Sequence, residues 1–496
     1  MTAKVDHSEL VRGRWSSAHD RDRFTVQNPA TGADLAVVQG GGADEVDAAV
    51  KAAHQGFLSW RRRSAPERGR ALREAARLVR SHADELASLE CAEMGKPVSQ
   101  ARQYDLEACP AIFDFFAGLT ADLPGAAREG AATIDLTTLR PYGVVGGILP
   151  FNWPPIHTAG KAAPALAVGN AIVIKPPEQA PLTVMRIVEL LQRALPDDVV
   201  HVVPGGVAAG AALAGHPLVR KLSFTGAPST GVAVIRAAAG NLTPTLMELG
   251  GKNPLIICAD ADLDAAVAGA IEGGFFNQGE ACTAASRVLV HRSVHDRVVE
   301  RLAAAVSRLR VGDGADPATH IGPLVTGEQR QSVLDHIEIG IAEGATIAAQ
   351  APLRDDPELA NGFYVAPTLF TGVRPEMRIA QEEIFGPVVA VIAFDDEDEA
   401  VRIANGTDFG LVAAVYSADW ARAMRIAREI EAGTVLVNNY ERVVIGSPFG
   451  GTGHSGYGRE HAAETLREYG YTTNLRLPSG AEHVRRWKAV DEVLDA

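Results

Sequence analysis

Residues 171–203 read AIVIKPPEQAPLTVMRIVELLQRALPDDVVHVV, and this stretch decides the fold. The apolar run Ala171–Ile174 is followed by the helical segment Val184–Leu195 and by a second apolar run, Val199–Val203. A third run, Leu222–Phe224, comes after another Ala-rich segment. Apolar strands that alternate with helices are typical of a parallel sheet with helices on both faces. The stretch therefore predicts a doubly wound α/β domain.

A second block of the same kind follows the first. It also alternates apolar runs with helical segments, among them Leu255–Ile257, Val288–Val290 and His295–Leu309. Two such blocks in one chain predict an α/β protein with two doubly wound parallel-sheet domains that face a cleft.

The predicted domain boundaries follow from these blocks. We expect residues 1–122 and 142–249 to form the first domain and residues 250–455 the second. Residues 123–141 predict an exposed hairpin, and a strand within residues 470–480 is expected to join it. Because an uncovered strand edge is a liability, this small β element is a predicted assembly surface.

The composition argues against several classes of function. The 496-residue chain carries a formal net charge of −14, and a surface of that sign repels nucleic acid. The apolar stretch Ala162–Ile174 is shorter than the roughly 18 residues that indicate a membrane span. Charged residues precede any apolar run near residue 1, so no secretory signal is visible. We expect a cytoplasmic protein that binds neither nucleic acid nor membrane.

The cysteines and histidines show no metal-binding pattern. No two cysteines have the C-x-x-C spacing of a zinc or redox site, and the fourteen histidines form no metal-spaced pair. We therefore expect free thiols in a reducing compartment and no bound metal. The four cysteines are Cys91, Cys109, Cys258 and Cys282.

Cys282 differs from the other cysteines in its surroundings. The sequence NQGEACT, residues 277–283, places it in a glycine-containing turn just before an apolar run. Backbone N–H groups of such a turn favour the thiolate, which is the nucleophilic form. A buried structural cysteine is the alternative, and Cys258, at the end of an apolar run, fits that description.

Two further residues carry groups that a covalent mechanism needs. Glu248 ends a strand in MELGGKNP, residues 247–254, where burial would raise its pKa towards that of a general base. Asn152 lies in the loop PFNWP, residues 150–154, and its amide can donate to an oxyanion. Taken singly, Glu248 also fits a helix cap or an ion pair, and Asn152 fits a loop residue bonded to its own backbone.

Two segments have features of a nucleotide site. FTGAPSTG, residues 224–231, is a strand, a glycine turn and a helix start whose N–H groups favour a pyrophosphate. Most such turns only connect two elements, so this signal is weak by itself. Lys175 and Glu178 follow another strand, where they can bond ribose hydroxyls and where a carboxylate would repel a 2′-phosphate.

The order of these motifs resembles that of the aldehyde dehydrogenase superfamily over nearly the whole chain. Each motif is weak alone, but the ordered set is very specific. It consists of residues 150–154, 174–178, 224–231, 248–254 and 277–283, EEIFGP at 382–387 and PFGG at 448–451, with NPATG at 28–32 and GYGRE at 456–460.

The resemblance implies oxidation of an aldehyde to a carboxylic acid, with NAD rather than NADP as the acceptor. Cys282 would attack the carbonyl carbon, and Asn152 with the Cys282 N–H would hold the oxyanion of the thiohemiacetal. Hydride transfer would leave a thioester, which water activated by Glu248 would hydrolyse.

The resemblance also implies a role for each part of the chain. The first domain would be a Rossmann-like NAD-binding domain, the second would be catalytic, and the β element would join subunits into a homodimer or homotetramer. Lys175 and Glu178 would bind the adenosine ribose, and Glu383 with Phe385 the nicotinamide ribose. The complete cofactor set is Lys175, Glu178, Thr225, Gly226, Gly231, Glu383, Phe385 and Trp153.

One departure from the family pattern touches the cofactor site, and two alternative functions stay open. Ala227 replaces the usual serine after Phe-Thr-Gly and removes one possible hydroxyl contact to the cofactor. An enzyme that passes the thioester to coenzyme A would not need Glu248 as a base. A non-catalytic binding protein with the same fold would not need Cys282, Glu248 and Asn152 together.

The resemblance also bears on the substrate. The resemblance places Trp153, His157 and Gly160 at the entrance of the substrate tunnel, and glycine at position 160 indicates a wide pocket. We expect Arg442 or His157 to favour a polar, aromatic or carboxylate-bearing aldehyde. A solvated loop arginine is the alternative for Arg442.

Overall fold

The computed structural model describes residues 23–130, 132–353, 360–479, 487 and 489–494. Residues 1–22, 131, 354–359 and 480, which fall within the predicted units, lie outside the described residues. In the described part of the chain, no helix combines the length and apolar character needed to cross a membrane.

Helices make up much of both predicted domains. A π-helical turn, Ala101–Asp105, links α4 to α5, and a 3-10 turn, Phe276–Gly279, follows α10. The α-helices are α1 (Ala43–Trp60), α2 (Ala65–Ser81), α3 (Ala83–Met94), α4 (Val98–Gln100), α5 (Leu106–Leu119), α6 (Pro154–Val168), α7 (Leu182–Ala194), α8 (Val207–Ala214), α9 (Pro228–Ala239), α10 (Leu263–Phe275), α11 (His295–Val306), α12 (Gly327–Ala342), α13 (Arg378–Gln381), α14 (Glu397–Ala404), α15 (Trp420–Glu429) and α16 (Ala489–Leu494).

The strands form two large sheets and three small ones among the described residues. They are β1 (Arg23–Asn28), β2 (Ala33–Gln39), β3 (Gly125–Glu129), β4 (Thr133–Pro141), β5 (Val144–Ile148), β6 (Ala171–Lys175), β7 (Val200–Val202), β8 (Val219–Thr225), β9 (Thr245–Glu248), β10 (Pro254–Ile257), β11 (Arg287–His291), β12 (Thr346–Gln350), β13 (Thr368–Thr371), β14 (Val388–Phe394), β15 (Phe409–Gly410), β16 (Val412–Tyr416), β17 (Thr434–Val437), β18 (Thr452–Gly453), β19 (Gly456–Tyr457) and β20 (Gly470–Pro478).

The first large sheet has the strand order β19-β9-β8-β5-β6-β7. Strands β5 to β9 pair in parallel, and β19 pairs antiparallel to β9. Ile172 and Ile174 lie in a core with α6 and α7, whereas Ala171 and Val173 lie in a core with α1, α8 and α9. Alternate residues of β6 are thus covered from opposite faces. This confirms the doubly wound sheet predicted from residues 171–203.

The second large sheet has the order β12-β13-β14-β11-β10-β16-β17. All its pairs are parallel except β12 with β13 at one edge. Leu255 and Ile257 pack in a core with α10 and α11, and Ile256 packs in one with α12, α14 and α15. The predicted second α/β domain is therefore also doubly wound.

The hairpin β3–β4 and strand β20 form a separate antiparallel sheet. Its register runs from Gly470 opposite Pro141 to Pro478 opposite Thr133. Leu475 and Leu477 on β20 are exposed. The predicted pairing is observed, while the role of this sheet in assembly and the exact domain boundaries stay predictions.

Candidate active site

The predicted functional residues of the first domain gather at one edge of its sheet. Lys175 ends β6, Thr225 ends β8 and Glu248 ends β9, and Asn152 lies in the loop between β5 and α6. The carboxyl ends of parallel strands share an edge, and ligands of open α/β sheets bind there.

Cys282 is half-buried in the loop between α10 and β11. Its carbonyl oxygen accepts a 2.8 Å hydrogen bond from Asn253 Nδ2, which also donates over 2.8 Å to the carbonyl of Ala284. A Cβ on Gly251 would lie 2.4 Å from the same Cys282 oxygen. The segment that follows Glu248 therefore contacts the Cys282 loop directly, and glycine at 251 permits this approach.

Asn152 is buried and bonded to the same loop. Its Nδ2 donates a 3.1 Å hydrogen bond to the carbonyl of Glu280. The Asn277 amide donates to the carbonyls of both Asn152 (3.1 Å) and Glu280 (3.0 Å). Asn277 and Gln278 reach this turn with φ of 54°, a left-handed conformation that Asn tolerates well. The structure thus joins the loops of Asn152, Glu248 and Cys282.

Glu248 is a buried carboxyl group without a local partner. Its side chain is almost fully covered, and neither oxygen has a hydrogen-bond partner among the described residues. A Cβ on Gly450 would lie 2.7 Å from Oε1. Burial raises the pKa of Glu248 well above its usual range, the negative charge of Glu460 adds to the rise, and Lys161 opposes it. A carboxyl with a raised pKa is a stronger proton acceptor than an ordinary one.

A buried cation next to Glu248 was not predicted from the sequence. Lys161 Nζ on α6 donates to Glu460 (3.0 Å), Ser223 (3.0 Å) and Thr225 (2.8 Å). These bonds use the hydroxyl of Thr225, which was predicted to contact the cofactor. The available signal was a lone lysine within an apolar helix, because a buried ammonium group requires an anionic partner.

Burial raises the pKa of the Cys282 thiol, and the carboxylates of Glu383 and Glu248 add to the rise. The resting group is therefore a thiol, and attack on a carbonyl needs a proton acceptor. All four cysteines are free thiols. Within the described ranges, no three His, Cys, Asp or Glu side chains are arranged to hold a metal ion.

Lys175 and Glu178 lie at the start of α8. A Cβ on Gly206, the residue before α8, would lie 2.7 Å from Glu178 Oε1. Lys175 is buried and donates to the carbonyl of Pro176 over 3.0 Å, and its side chain passes Gly210. An exposed carboxylate and a lysine thus flank a helix N-terminus, an arrangement that suits ribose hydroxyls.

Gly226 and Gly231 are required by packing within the chain. A Cβ on Gly226 would lie 2.6 Å from the Phe224 ring, and one on Gly231 would lie 2.8 Å from Leu249. The Gly226 N–H donates to the Glu248 carbonyl over 3.0 Å. These contacts hold α9 close to the end of β9; pyrophosphate binding by this turn stays a prediction.

Glu383 and Phe385 approach from the second domain. Glu383 Oε1 accepts a 2.9 Å hydrogen bond from the Gly251 N–H, and a Cβ on Gly250 would lie 2.2 Å from Oε2. Burial raises the pKa of Glu383 to about 7. Phe385 has φ of 55° and its ring lies 5.7 Å from that of Phe151. Glu383 therefore reaches the glycines between Glu248 and Cys282.

Trp153 belongs to an aromatic cluster beside the Cys282 loop. Its ring stacks on Phe276 with centroids 5.7 Å apart, and Tyr104 lies 5.3 Å from Trp153 and 5.4 Å from Phe276. Lys96 Nζ lies over the Trp153 ring, 4.1 Å from its centroid. These contacts bury Trp153, and its predicted contact with the cofactor stays a prediction.

Two interpretations of the substrate entrance need correction. Arg442 is not a solvated loop residue, because its side chain is 3% exposed and its guanidinium lies over the rings of Phe276 and Tyr440. Gly160 does not face open space either, since a Cβ there would lie 3.1 Å from the ring of His461. The imidazole of His461 occupies part of the room that glycine leaves.

Comparison with known proteins agrees with this geometry. Residues 15–475 match the aldehyde dehydrogenase family. An aldehyde dehydrogenase of Didymella fabae is 49% identical over 98% of this chain and 99% of its own length. The aldehyde dehydrogenase citD of Monascus ruber is 50% identical over 97% of this chain and 96% of its own length.

Solved structures show the same fold. PnpE from Pseudomonas sp. WBC-3 is 40% identical, with a TM-score of 0.93 over 96% of this chain and 99% of that one. Betaine aldehyde dehydrogenase of Staphylococcus aureus, solved with NAD+, is 34% identical, with a TM-score of 0.92 over 96% of each chain. PnpE has also been solved with nicotinamide adenine dinucleotide.

Proposed function

The chain belongs to the aldehyde dehydrogenase family, and on that premise we propose that it oxidises an aldehyde to a carboxylic acid through Cys282, with NAD as the acceptor. The observation that carries this proposal is the hydrogen bond from Asn152 Nδ2 to the Glu280 carbonyl. It holds an uncharged donor against the loop of the nucleophile, where an oxyanion would form.

The first step is attack of the Cys282 sulfur on the aldehyde carbon. A C–S bond forms, the thiol proton passes to a base, and the carbonyl oxygen becomes an oxyanion. Asn152 Nδ2 and the Cys282 N–H stabilise that charge. The unpartnered carboxyl of Glu248 is the base whose raised pKa suits this transfer.

NAD, when bound, supplies the electron acceptor that turns the thiohemiacetal into a thioester. Lys175 and Glu178 beside α8 suit the adenosine ribose, and the carboxylate of Glu178 disfavours a 2′-phosphate, so NAD is preferred over NADP. Glu383 at Gly251 suits the nicotinamide ribose. Solved relatives that contain NAD support this assignment.

Hydrolysis completes the reaction. After Glu248 has released the Cys282 proton to solvent, it takes a proton from water while the water oxygen attacks the thioester carbon. The C–S bond then breaks to release the acid, and the sulfur takes the proton from Glu248 to restore the Cys282 thiol. A buried carboxyl with both oxygens free supports hydrolysis over transfer to coenzyme A.

Arg442 bears on the substrate class. Its Nε has no hydrogen-bond partner among the described residues, while Nη2 donates to the Glu272 carbonyl. Its guanidinium lies 4.8 Å from the centroid of the Phe276 ring, which lies 5.4 Å from the ring of Tyr104, so this cation lies beside the aromatic cluster that precedes the Cys282 loop. We propose that this cation favours aromatic or carboxylate-bearing aldehydes.

We also propose that the protein assembles into a homodimer or homotetramer in the cytoplasm. The exposed Leu475 and Leu477 of the three-stranded sheet favour burial against another subunit. Four free thiols suit a reducing compartment.

The test of the proposed function is the formation of reduced nicotinamide from NAD and a panel of aliphatic, aromatic and semialdehyde substrates. Cys282→Ala is expected to abolish turnover, and Cys258→Ala, which removes a buried thiol elsewhere, is the matched control. Turnover that requires coenzyme A and yields an acyl-CoA would favour the acylating alternative. Equal turnover in Cys282→Ala and the wild type would contradict the proposal.

A further inference from the structure

The amide of Asn152 needs a fixed orientation to act as an oxyanion donor. The two ends of an asparagine side chain have nearly the same shape, but only the NH2 end can donate. Rotation by half a turn about the last bond would direct the carbonyl oxygen at the forming oxyanion and repel it. Some neighbour must therefore distinguish the two orientations.

Two groups contact the ends of this amide. The Glu280 carbonyl lies 3.1 Å from Nδ2, and His157 Nε2 lies 3.3 Å from Oδ1. The backbone carbonyl can only accept, so it requires the NH2 end of Asn152. Oδ1 can also only accept, so His157 must carry its proton on Nε2 and donate it. In the reversed orientation, acceptor would face acceptor at Glu280, and donor would face donor at His157 unless the ring moved its proton from Nε2 to Nδ1.

From these contacts, and resting on the proposed function, we infer that His157 is a positioning residue that orients Asn152 for oxyanion binding. This differs from the role in substrate contact that the sequence suggested for His157.

The position of His157 suits this role. It lies in the first turn of α6, where its N–H donates to the Trp153 carbonyl over 3.0 Å. Pro154 and Pro155 open that helix and restrict the backbone between Asn152 and His157. Both side chains are buried, so water competes poorly for the bond.

The charge state of His157 is also suitable. Burial lowers the pKa of His157 well below its usual range, and Lys161, His461 and Lys96 lower it further. The ring is therefore neutral at physiological pH. A single proton on Nε2 supplies the hydrogen-bond donor for Asn152 Oδ1, and the neutral ring adds no second positive charge near Lys161.

The experiment uses His157→Phe, which keeps a ring of similar size without the donor, and His157→Gln, which keeps a terminal NH2. We expect His157→Phe to lower kcat by about tenfold to a hundredfold, less than the loss of about a hundredfold to a thousandfold for a deleted oxyanion donor. KM should change little, and His157→Gln should recover most of kcat. A change confined to KM would overturn the inference in favour of substrate contact.

A double-mutant cycle separates positioning from a general loss of structure. In the Asn152→Ala background, His157→Phe should lower kcat by less than about twofold. The reason is that the effects of substituting two residues that act through one contact are not additive. An equal loss in both backgrounds would overturn the inference. Alkylation of Cys282 by iodoacetamide, which forms no oxyanion, should proceed at the wild-type rate in His157→Phe.

A second substrate separates this inference from the proposed function. With p-nitrophenyl acetate, Cys282 would displace p-nitrophenolate through an oxyanion, and water would release acetate, without NAD. His157→Phe should slow p-nitrophenolate release as it slows oxidation. A wild-type protein with neither activity would overturn the proposed function and the inference with it. If the wild type is active and His157→Phe releases p-nitrophenolate at the wild-type rate, the inference alone is overturned.

Discussion

Asn253 Nδ2 lies 2.8 Å from the carbonyl oxygen of Cys282. The same amide donates to Ala284, and its Oδ1 accepts the N–H of Val412 over 3.0 Å. One buried side chain thus joins the Cys282 loop to β16 of the second sheet. The Cys282 turn is held by this sheet as well as by local turn geometry.

The first prediction concerns this bond. Asn253→Ala removes the hydrogen-bond partner of the Cys282 carbonyl and of the Val412 N–H, each at a cost of about 1–3 kcal/mol. Asn253→Asp keeps the acceptor for Val412 but directs a carboxylate oxygen at Cys282. We expect both variants to melt at a lower temperature than the wild type. Iodoacetamide should alkylate their Cys282 at a rate that differs from the wild-type rate. A wild-type alkylation rate in both would show that Asn253 does not position the thiol.

The second prediction concerns Glu248. Glu248→Gln removes the base for thioester hydrolysis and should lower steady-state kcat by about a hundredfold or more. Because Glu248 is also the proposed base for attack by Cys282, the first equivalent of reduced nicotinamide should form more slowly than in the wild type, and the acyl-enzyme should then accumulate. The measurement is stopped-flow absorbance together with mass spectrometry of the acyl-enzyme. Glu300→Gln, an exposed glutamate on α11, is the control and should match the wild type.

Strand ends and the nucleophile loop are predictable because apolar runs and turn residues are local in sequence. The Lys161–Glu460 pair is not, since its partners are 299 positions apart and meet only when α6 packs against the C-terminal part of the chain. The burial of Arg442 was missed for the same reason. The guanidinium of Arg442 is covered by the ring of Phe276, a residue that precedes the Cys282 loop.

The third prediction uses the raised pKa of Glu383. Because that pKa is about 7, the carboxylate that would accept ribose hydroxyls forms mainly above neutral pH. We expect KM for NAD to fall as pH rises from about 6 to about 8. Glu383→Gln should have a higher KM with a flatter dependence on pH. An unchanged pH profile in Glu383→Gln would remove Glu383 from cofactor binding.

The same shift has a consequence for stability. The folded pKa of Glu383 lies above its ordinary value of 4.5, so the folded protein binds this proton more tightly than the unfolded chain. Its contribution to the free energy of unfolding is then present at low pH and declines as pH rises from about 4.5 through about 7. The difference in melting temperature between Glu383→Gln and wild type should vary over this range, measured without NAD.

The fourth prediction concerns the choice of cofactor. The exposed carboxylate of Glu178 beside Gly206 would repel a 2′-phosphate. Glu178→Gln should raise kcat/KM for NADP and lower it for NAD, shifting their ratio by about tenfold or more. Glu189→Gln, an exposed carboxylate on α7, controls for net charge. If Glu178→Gln and Glu189→Gln shift the ratio of kcat/KM values for NADP and NAD equally, the effect of Glu178 is only a long-range effect of its charge.

The last prediction tests Arg442 as a determinant of substrate preference. Arg442→Met keeps much of the apolar contact with Phe276 and Tyr440 but removes the charge. A carboxylate-bearing semialdehyde should lose about tenfold or more in kcat/KM, because hydrogen bonds to charged groups contribute about 1.5–3 kcal/mol. Betaine aldehyde, which is cationic, should gain. Arg428→Met, on the exposed face of α15, removes the same charge elsewhere, and its preference should match the wild type. A wild-type preference in folded Arg442→Met would show that this arginine serves only to pack the Cys282 loop.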